Sequence, residues 1–170
     1  MRAAMYRRER VTIRVATRGD DSAIWAILEP IIRAGETYAL PRDWSREATI
    51  AWWHAAGHEA FVAEDSGVVV GTYFVCPNHL GGGAHVANAG YATALAAQGK
   101  GVARAMCEHS IEHARRREFR AMQFNFVIAS NTRAVALWKG MGFAIVGTLP
   151  GAFEHPTLGF VDAFVMFRDL

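Results

Sequence analysis

Six consecutive residues, Gln98-Gly99-Lys100-Gly101-Val102-Ala103, lie between a stretch that alternates like a strand and one that repeats like an amphipathic helix. At such a junction the first backbone N–H groups of the helix have no intrahelical acceptor, so they form an anion-binding end. Glycine at 99 and 101 lets the main chain turn and approach a ligand without a Cβ, and Ala103 keeps the next turn small. Lys100 and Arg104 add positive charge at the mouth. The spacing is not that of a nucleotide P-loop, GxxxxGK followed by Ser or Thr, and the third glycine of a dinucleotide fingerprint is absent. Taken alone, a short Gly-x-Gly is equally compatible with a plain strand-to-helix turn.

The other reactive side chains are scattered. His109 and His113 stand one helical turn apart, a metal-compatible pair, but no Glu lies between them and no third ligand is near in sequence. They read as exposed helix residues, and no metal site is expected. Cys76 and Cys107 belong to no CxxC pair and read as free, packed thiols of a reducing cytoplasm.

The elements that must position the glycine segment follow from periodicity. Residues 11–16 alternate with β-branched character and predict a strand. Asp20 or Asp21 then caps a helix over about 22–34 whose Ile24, Ile27, Leu28, Ile31 and Ile32 recur at helical spacing, ended by Gly35. Ser45 caps a second helix carrying Ile50, Trp52 and Trp53. Residues 60–63 and 68–75 flank Asp65-Ser66-Gly67 as a hairpin, and a further strand runs from about 85 to 93. A helix from Gly101 to Arg117, a strand over 122–128, a helix from Ser130 or Asn131 to Met141, and strands over about 143–149 and 160–167 complete the chain. The loop Pro150 to Gly159 separates the last two strands. The order is mixed α/β, with hairpins in the first half and alternating helices and strands in the second.

In that context the sequence resembles the GCN5-related N-acetyltransferase family, whose cofactor motif is Gln/Arg-x-x-Gly-x-Gly/Ala after a central strand. Gln98, Gly101 and Ala103 meet it. Downstream, Asn131-Thr132-Arg133-Ala134-Val135-Ala136-Leu137-Trp138-Lys139-Gly140-Met141-Gly142-Phe143 is similar to the family's Asn-led helix ending in Leu-Tyr-x-x-x-Gly-Phe, except that Trp138 replaces the tyrosine. The resemblance spans residues 11–170, a single N-acetyltransferase domain, with residues 1–10 as a flexible N-terminal segment. It implies a twisted, mostly antiparallel mixed sheet of about seven strands, splayed between strands 4 and 5 and flanked by four helices. It also implies acetyl-CoA as donor and a homodimeric assembly.

The same resemblance assigns residues. The fourth strand, at Tyr91, Ala92 and Thr93, would pair with pantetheine amides. Gln98, Gly99, Lys100, Gly101, Val102, Ala103 and Arg104 would cradle the pyrophosphate, and Asn131 would touch the cofactor as well as capping its helix. The family's proton-donating tyrosine is missing, because an indole N–H at Trp138 is no acid near neutral pH. Phosphinothricin-type relatives carry a glutamate near Asn88, which cannot take a proton. Asn88 and Asn125 resemble in placement the asparagines that hold the substrate in the proline-analogue N-acetyltransferases of yeast, and they are the catalytic candidates; structural asparagines at the split are the alternative. Glu36, Thr37 and Tyr38 would wall the acceptor. Independently of the resemblance, His155, in the loop after Phe153, would line the far end of the cleft and supply a base, with surface placement as the alternative.

A net charge of +2 gives no reason to expect a nucleic-acid partner, and no stretch approaches the ~18 to 20 apolar residues of a membrane helix. The sequence therefore implies a cytoplasmic acetyltransferase acting on a small amine, amino acid or amino-acid analogue. A protein N-terminal or lysine acetyltransferase and an acetyl-CoA sensor without turnover are the competing readings.

Overall fold

The computed structural model describes residues 11–170, so the segment 1–10 lies outside the described residues. The chain runs β1 (Val11–Val15), α1 (Asp21–Ala34), α2 (Arg46–Trp53), β2 (Glu59–Asp65), β3 (Val68–Pro77), β4 (Val86–Thr93), α3 (Val102–Arg116), β5 (Ala121–Ile128), α4 (Thr132–Gly140), β6 (Ala144–His155) and β7 (Gly159–Asp169), with short 3-10 turns between. Its seven strands form one sheet in the order β1-β2-β3-β4-β5-β7-β6. Every pairing is antiparallel except β4 with β5.

Two apolar layers sandwich this sheet. On one face, Ile24, Ile27, Leu28 and Ile32 of α1 and Ile50 and Trp53 of α2 pack on Val62, Phe74 and Ala92. On the other, Val102, Met106, Ile111 and Ala114 of α3 and Trp138 of α4 pack on Tyr73, Val75, Met122 and Phe124. Gly71 permits the second contact: a Cβ there would lie 2.9 Å from side-chain atoms of Met106 and Val102.

The local signals act as expected at most helix ends. Ser45 accepts from the Ala48 N–H at 3.1 Å, and Gly35 ends α1 in the left-handed region. Asp20 is used differently. Its carboxylate accepts from the Thr17 N–H at 2.7 Å and pairs with Arg14, which also pairs with Glu64, so it ties α1's entrance to β1 and β2. Arg14 in turn holds the Asp20 carboxyl well below the usual carboxylate range.

The largest departure from expectation is the C-terminal hairpin. The Pro150 to Gly159 segment is mostly strand: β6 continues to His155 through a register shift between Leu149 and Phe153. Proline is compatible with this because β6 is the outermost strand, where a missing N–H deprives no neighbour of a bond. His109 and His113 are also half-buried rather than exposed. His109 Nδ1 lies 2.6 Å from the Tyr73 hydroxyl, and His113 Nε2 lies 3.1 Å from Glu59.

Candidate active site

The site begins as a break in hydrogen bonding. β4 and β5 are in register only at Val86–Ala121 and Ala87–Met122, after which they separate. The edge bonds from Asn78 N–H to Val86 O and from Ala94 N–H to Val70 O fix the alternation on β4. Even-numbered residues aim their backbone groups at β3; Ala89, Tyr91 and Thr93 aim theirs into the gap. The expected residues Tyr91 and Thr93 thus offer backbone partners to a ligand lying between the strands. Ala92 does not, since its backbone faces β3, and it contributes wall instead.

The gap opens into a cleft of about 760 Å3. At one end stand Gln98, Gly99, Gly101, Val102, Ala103 and Arg104, joined by Asn131 and Arg133. Gly99 and Gly101 have φ of 75° and 82°, the left-handed region that glycine adopts without a Cβ penalty. A Cβ on Gly101 would meet nothing within 4 Å, so the loop presents bare backbone to the cleft. Among the described residues, no acceptor is found for the N–H groups of Gly99, Gly101, Val102, Ala103 or Arg104; the Ala105 N–H is the first in α3 to reach one, on Gly101 O. Five open donors beside two arginines make an anion cradle suited to a diphosphate.

Lys100 does not line the cleft, and its side chain is exposed. Arg133 does, a position that no sequence motif assigns to the site. The available signal was its place in the first turn of α4, two residues after Asn131. Asn131 itself accepts from the Ala134 N–H at 3.3 Å as the α4 cap. That bond uses its oxygen and leaves the amide NH2 available to the cleft.

The opposite end belongs to α1, α2 and the loop joining them. Ile31, Glu36, Thr37, Tyr38, Leu40, Trp52 and Phe74 line it, with Asn88 on the floor. Tyr38 fastens this loop to the split: its hydroxyl donates to the Tyr91 carbonyl at 2.7 Å. Burial pushes its phenol above tyrosine's ordinary pKa, so it stays a donor throughout the neutral range. Asn88 has no hydrogen-bond partner for its side chain among the described residues. Asn125 does: it accepts from Gln123 Nε2 at 2.9 Å and donates to Asn78 Oδ1 at 2.6 Å. Its amide therefore braces the splayed strand against the loop after β3, while still lining the cleft.

His155 does not reach the cleft. It sits at the tip of the β6–β7 hairpin, where its Nδ1 accepts from the Thr157 and Leu158 N–H groups at 3.2 and 3.3 Å. A histidine next to a proline-bearing turn caps that turn more readily than it crosses a sheet. Trp138 is packed between Tyr91 and Phe124, each with its ring centroid 5.0 Å away. Burial raises the thiols of Cys76 to about 11 and Cys107 to about 12, which keeps both un-ionised at neutral pH. Among the described residues, no group of three or more His, Cys, Asp or Glu could hold a metal ion.

A sheet split at its one parallel pair, with open strand amides in the gap and open helix amides at its mouth, defines an enzyme of the acyl-CoA-dependent transferase class. The acetyltransferase (GNAT) family model matches residues 25–143, and the chain belongs to that family. A GCN5-related N-acetyltransferase from Kribbella flavida is 43% identical, with a TM-score of 0.91 over 95% of this chain and 99% of that one. A phosphinothricin acetyltransferase from Sinorhizobium meliloti, solved with acetyl-CoA, superposes with a TM-score of 0.82 at 20% identity over 94% of this chain and 88% of that one, and so shares the fold. The N-acetyltransferase aca1 of Schizosaccharomyces pombe is 28% identical over 100 residues, 57% of this chain. That match spans about half of the yeast protein, 47% of its length.

Proposed function

We propose that the chain transfers the acetyl group of acetyl-CoA directly to the amine of a small molecule, in a ternary complex of donor, acceptor and protein. The acceptor is an amino acid, an amino-acid analogue or a related amine. One observation carries the reading. A single cleft joins an anion cradle of five open backbone donors to a chamber walled by Ile31, Leu40, Trp52 and Phe74, through a strand gap that presents the backbone groups of Ala89, Tyr91 and Thr93.

Acetyl-CoA, when bound, supplies an activated acetyl group and a thiol leaving group. The open amides of Gly99 and of Gly101 to Arg104, with Arg133, would hold its diphosphate, and the exposed edge of β4 would align its amide-bearing arm. Tyr38 keeps the acceptor loop against β4, so that the chamber closes over the end of the gap. Asn88 orients the amine through its amide. No carboxylate occupies the Asn88 position, so deprotonation of the ammonium passes to water or precedes binding. A thioester whose thiol has a pKa of ~8.5 would release its sulfur as thiolate when the C–S bond breaks, without an acid, which makes Trp138 compatible with turnover. Helix amides beside the gap favour the departing negative charge.

Initial velocities with acetyl-CoA and a primary amine test this reading. Intersecting reciprocal lines with one thiol released per acetylated amine are expected. Parallel lines would indicate an acyl-enzyme instead. Cofactor binding without thiol release on any amine would leave the sensor reading.

A cytoplasmic homodimer belongs to the same proposal. Two free thiols suit a reducing compartment. Among the described residues β6 is an edge strand, and Val146 on it and Leu158 and Phe160 in its hairpin are exposed, a surface that a second copy would cover. Sedimentation at twice the mass of the chain is expected; a monomer at micromolar concentration would contradict it.

A further inference from the structure

Among the described residues, the acceptor end of the cleft carries one anion and no cation. Its polar side chains there are Glu36, Thr37, Tyr38 and Asn88, with Asn125 across the split. The cleft's two arginines, Arg104 and Arg133, stand at the other end on α3 and α4. Arginines close to the acceptor loop in sequence, Arg33, Arg42 and Arg46, do not line the cleft. Arg42 Nε donates to the Arg33 carbonyl at 2.8 Å, Arg33 donates in return to the Arg42 carbonyl, and the Arg33 guanidinium lies 5.6 Å from the Trp25 ring centroid. Arg46 donates to the Ser22 hydroxyl at 2.8 Å. His58 stacks flat on Phe74 at 4.0 Å, behind the chamber wall, and burial holds its pKa below the ordinary histidine value. It does not line the cleft, and burial favours its uncharged form.

Resting on the small-molecule reading above, we infer that the acceptor is an amine with an apolar body and no acid group. An α-carboxylate entering this chamber would give up part of its hydration and find, among the described residues, neither a cation nor a helix N-terminus in exchange. It would also meet Glu36 as a like charge. An ammonium group meets the opposite situation: Glu36 attracts it toward the mouth, the Asn88 amide oxygen and Thr37 accept from it, and Trp52 and Phe74 receive the apolar remainder. The chamber therefore discriminates on the acid group rather than on the side chain.

Matched pairs test this directly, using thiol release from acetyl-CoA with the wild-type protein. Phenethylamine and phenylalanine differ only in the carboxylate, and phenylalanine methyl ester restores the body without the charge. Phenethylamine is expected to exceed phenylalanine in kcat/KM by about 30-fold or more, the scale of one unpaired buried charge, and the ester to recover most of that loss. Equal rates for amine and amino acid, within about threefold, would overturn the inference and leave the small-molecule reading standing. Turnover of a peptide N-terminus with none on any of the three compounds would overturn both. Glu36→Gln is expected to lower kcat/KM for phenethylamine by roughly three- to tenfold, because an exposed carboxylate attracts a cation only modestly. An unchanged value would remove Glu36 from the recognition of the ammonium.

Discussion

Replacing Gly101 by aspartate or by asparagine separates the electrostatics of the cradle from its shape. Gly101 has φ of 82° and caps α3, and a Cβ there points into open space within 4 Å. Either side chain therefore fits sterically, and both residues tolerate the left-handed region better than most, at a shared backbone cost of about 1 kcal/mol. They differ by one negative charge. With two phosphate charges about 6 Å away and an effective dielectric constant of about 40, the added repulsion is about 2 to 3 kcal/mol. That corresponds to roughly 30- to 150-fold in Kd beyond the loss seen with asparagine. Titration calorimetry of coenzyme A against Gly101→Asn and Gly101→Asp provides the comparison, with thermal melting of each variant without ligand as the control for strain. The difference should shrink as salt is raised, since the charges are solvent-accessible. Equal affinities for the two variants at low salt would refute the placement of the diphosphate at this loop.

Three further outcomes are expected. Asn88→Ala should leave the coenzyme A Kd within about twofold and lower kcat by roughly tenfold or more, since its amide faces the acceptor and not the cradle; calorimetry beside steady-state rates checks the split. Asn131→Ala should lower stability by about 1 kcal/mol through loss of the bond to the Ala134 N–H and also weaken coenzyme A, measured by denaturant melts and calorimetry. Burial holds the pKa values of His58 and His109 below that of free histidine, so the unfolded chain binds more protons than the folded one. The stability from these groups is complete above about pH 6.5 and is lost as pH falls through the folded pKa values. Melts from pH 7.5 to 5 should show a decline that becomes shallower in His109→Gln, and a decline unchanged in that variant would contradict the assignment.

The sequence was most informative where chemistry depends on backbone. Gly99 and Gly101 are legible because only glycine takes their φ values without strain, and Asn131 because a cap must precede its helix. The strand order and the split at β4 and β5 came with the family resemblance, since periodicity predicts strands but not which edges part. Arg133 was passed over because nothing local distinguishes a ligand-facing arginine in a helix's first turn from a solvated one. His155 went the other way: its loop suggested the far end of the site, but the turn after Pro156 takes the histidine, whereas Asn125 lines the cleft while also bonding Asn78 and Gln123. Burial of His109 and His113 was hidden because their partners, Tyr73 and Glu59, come from strands distant in sequence. The long β6 was missed because proline reads as a break unless the strand is known to be an edge.

Mass spectrometry of the acceptor tests the central claim most directly. After incubation of the protein with acetyl-CoA and phenethylamine, the account predicts an amine heavier by one acetyl group, formed in step with free coenzyme A and suppressed by Gly101→Asp. Undiminished binding of acetyl-CoA with no acetylated product from phenethylamine or any other small amine would contradict it.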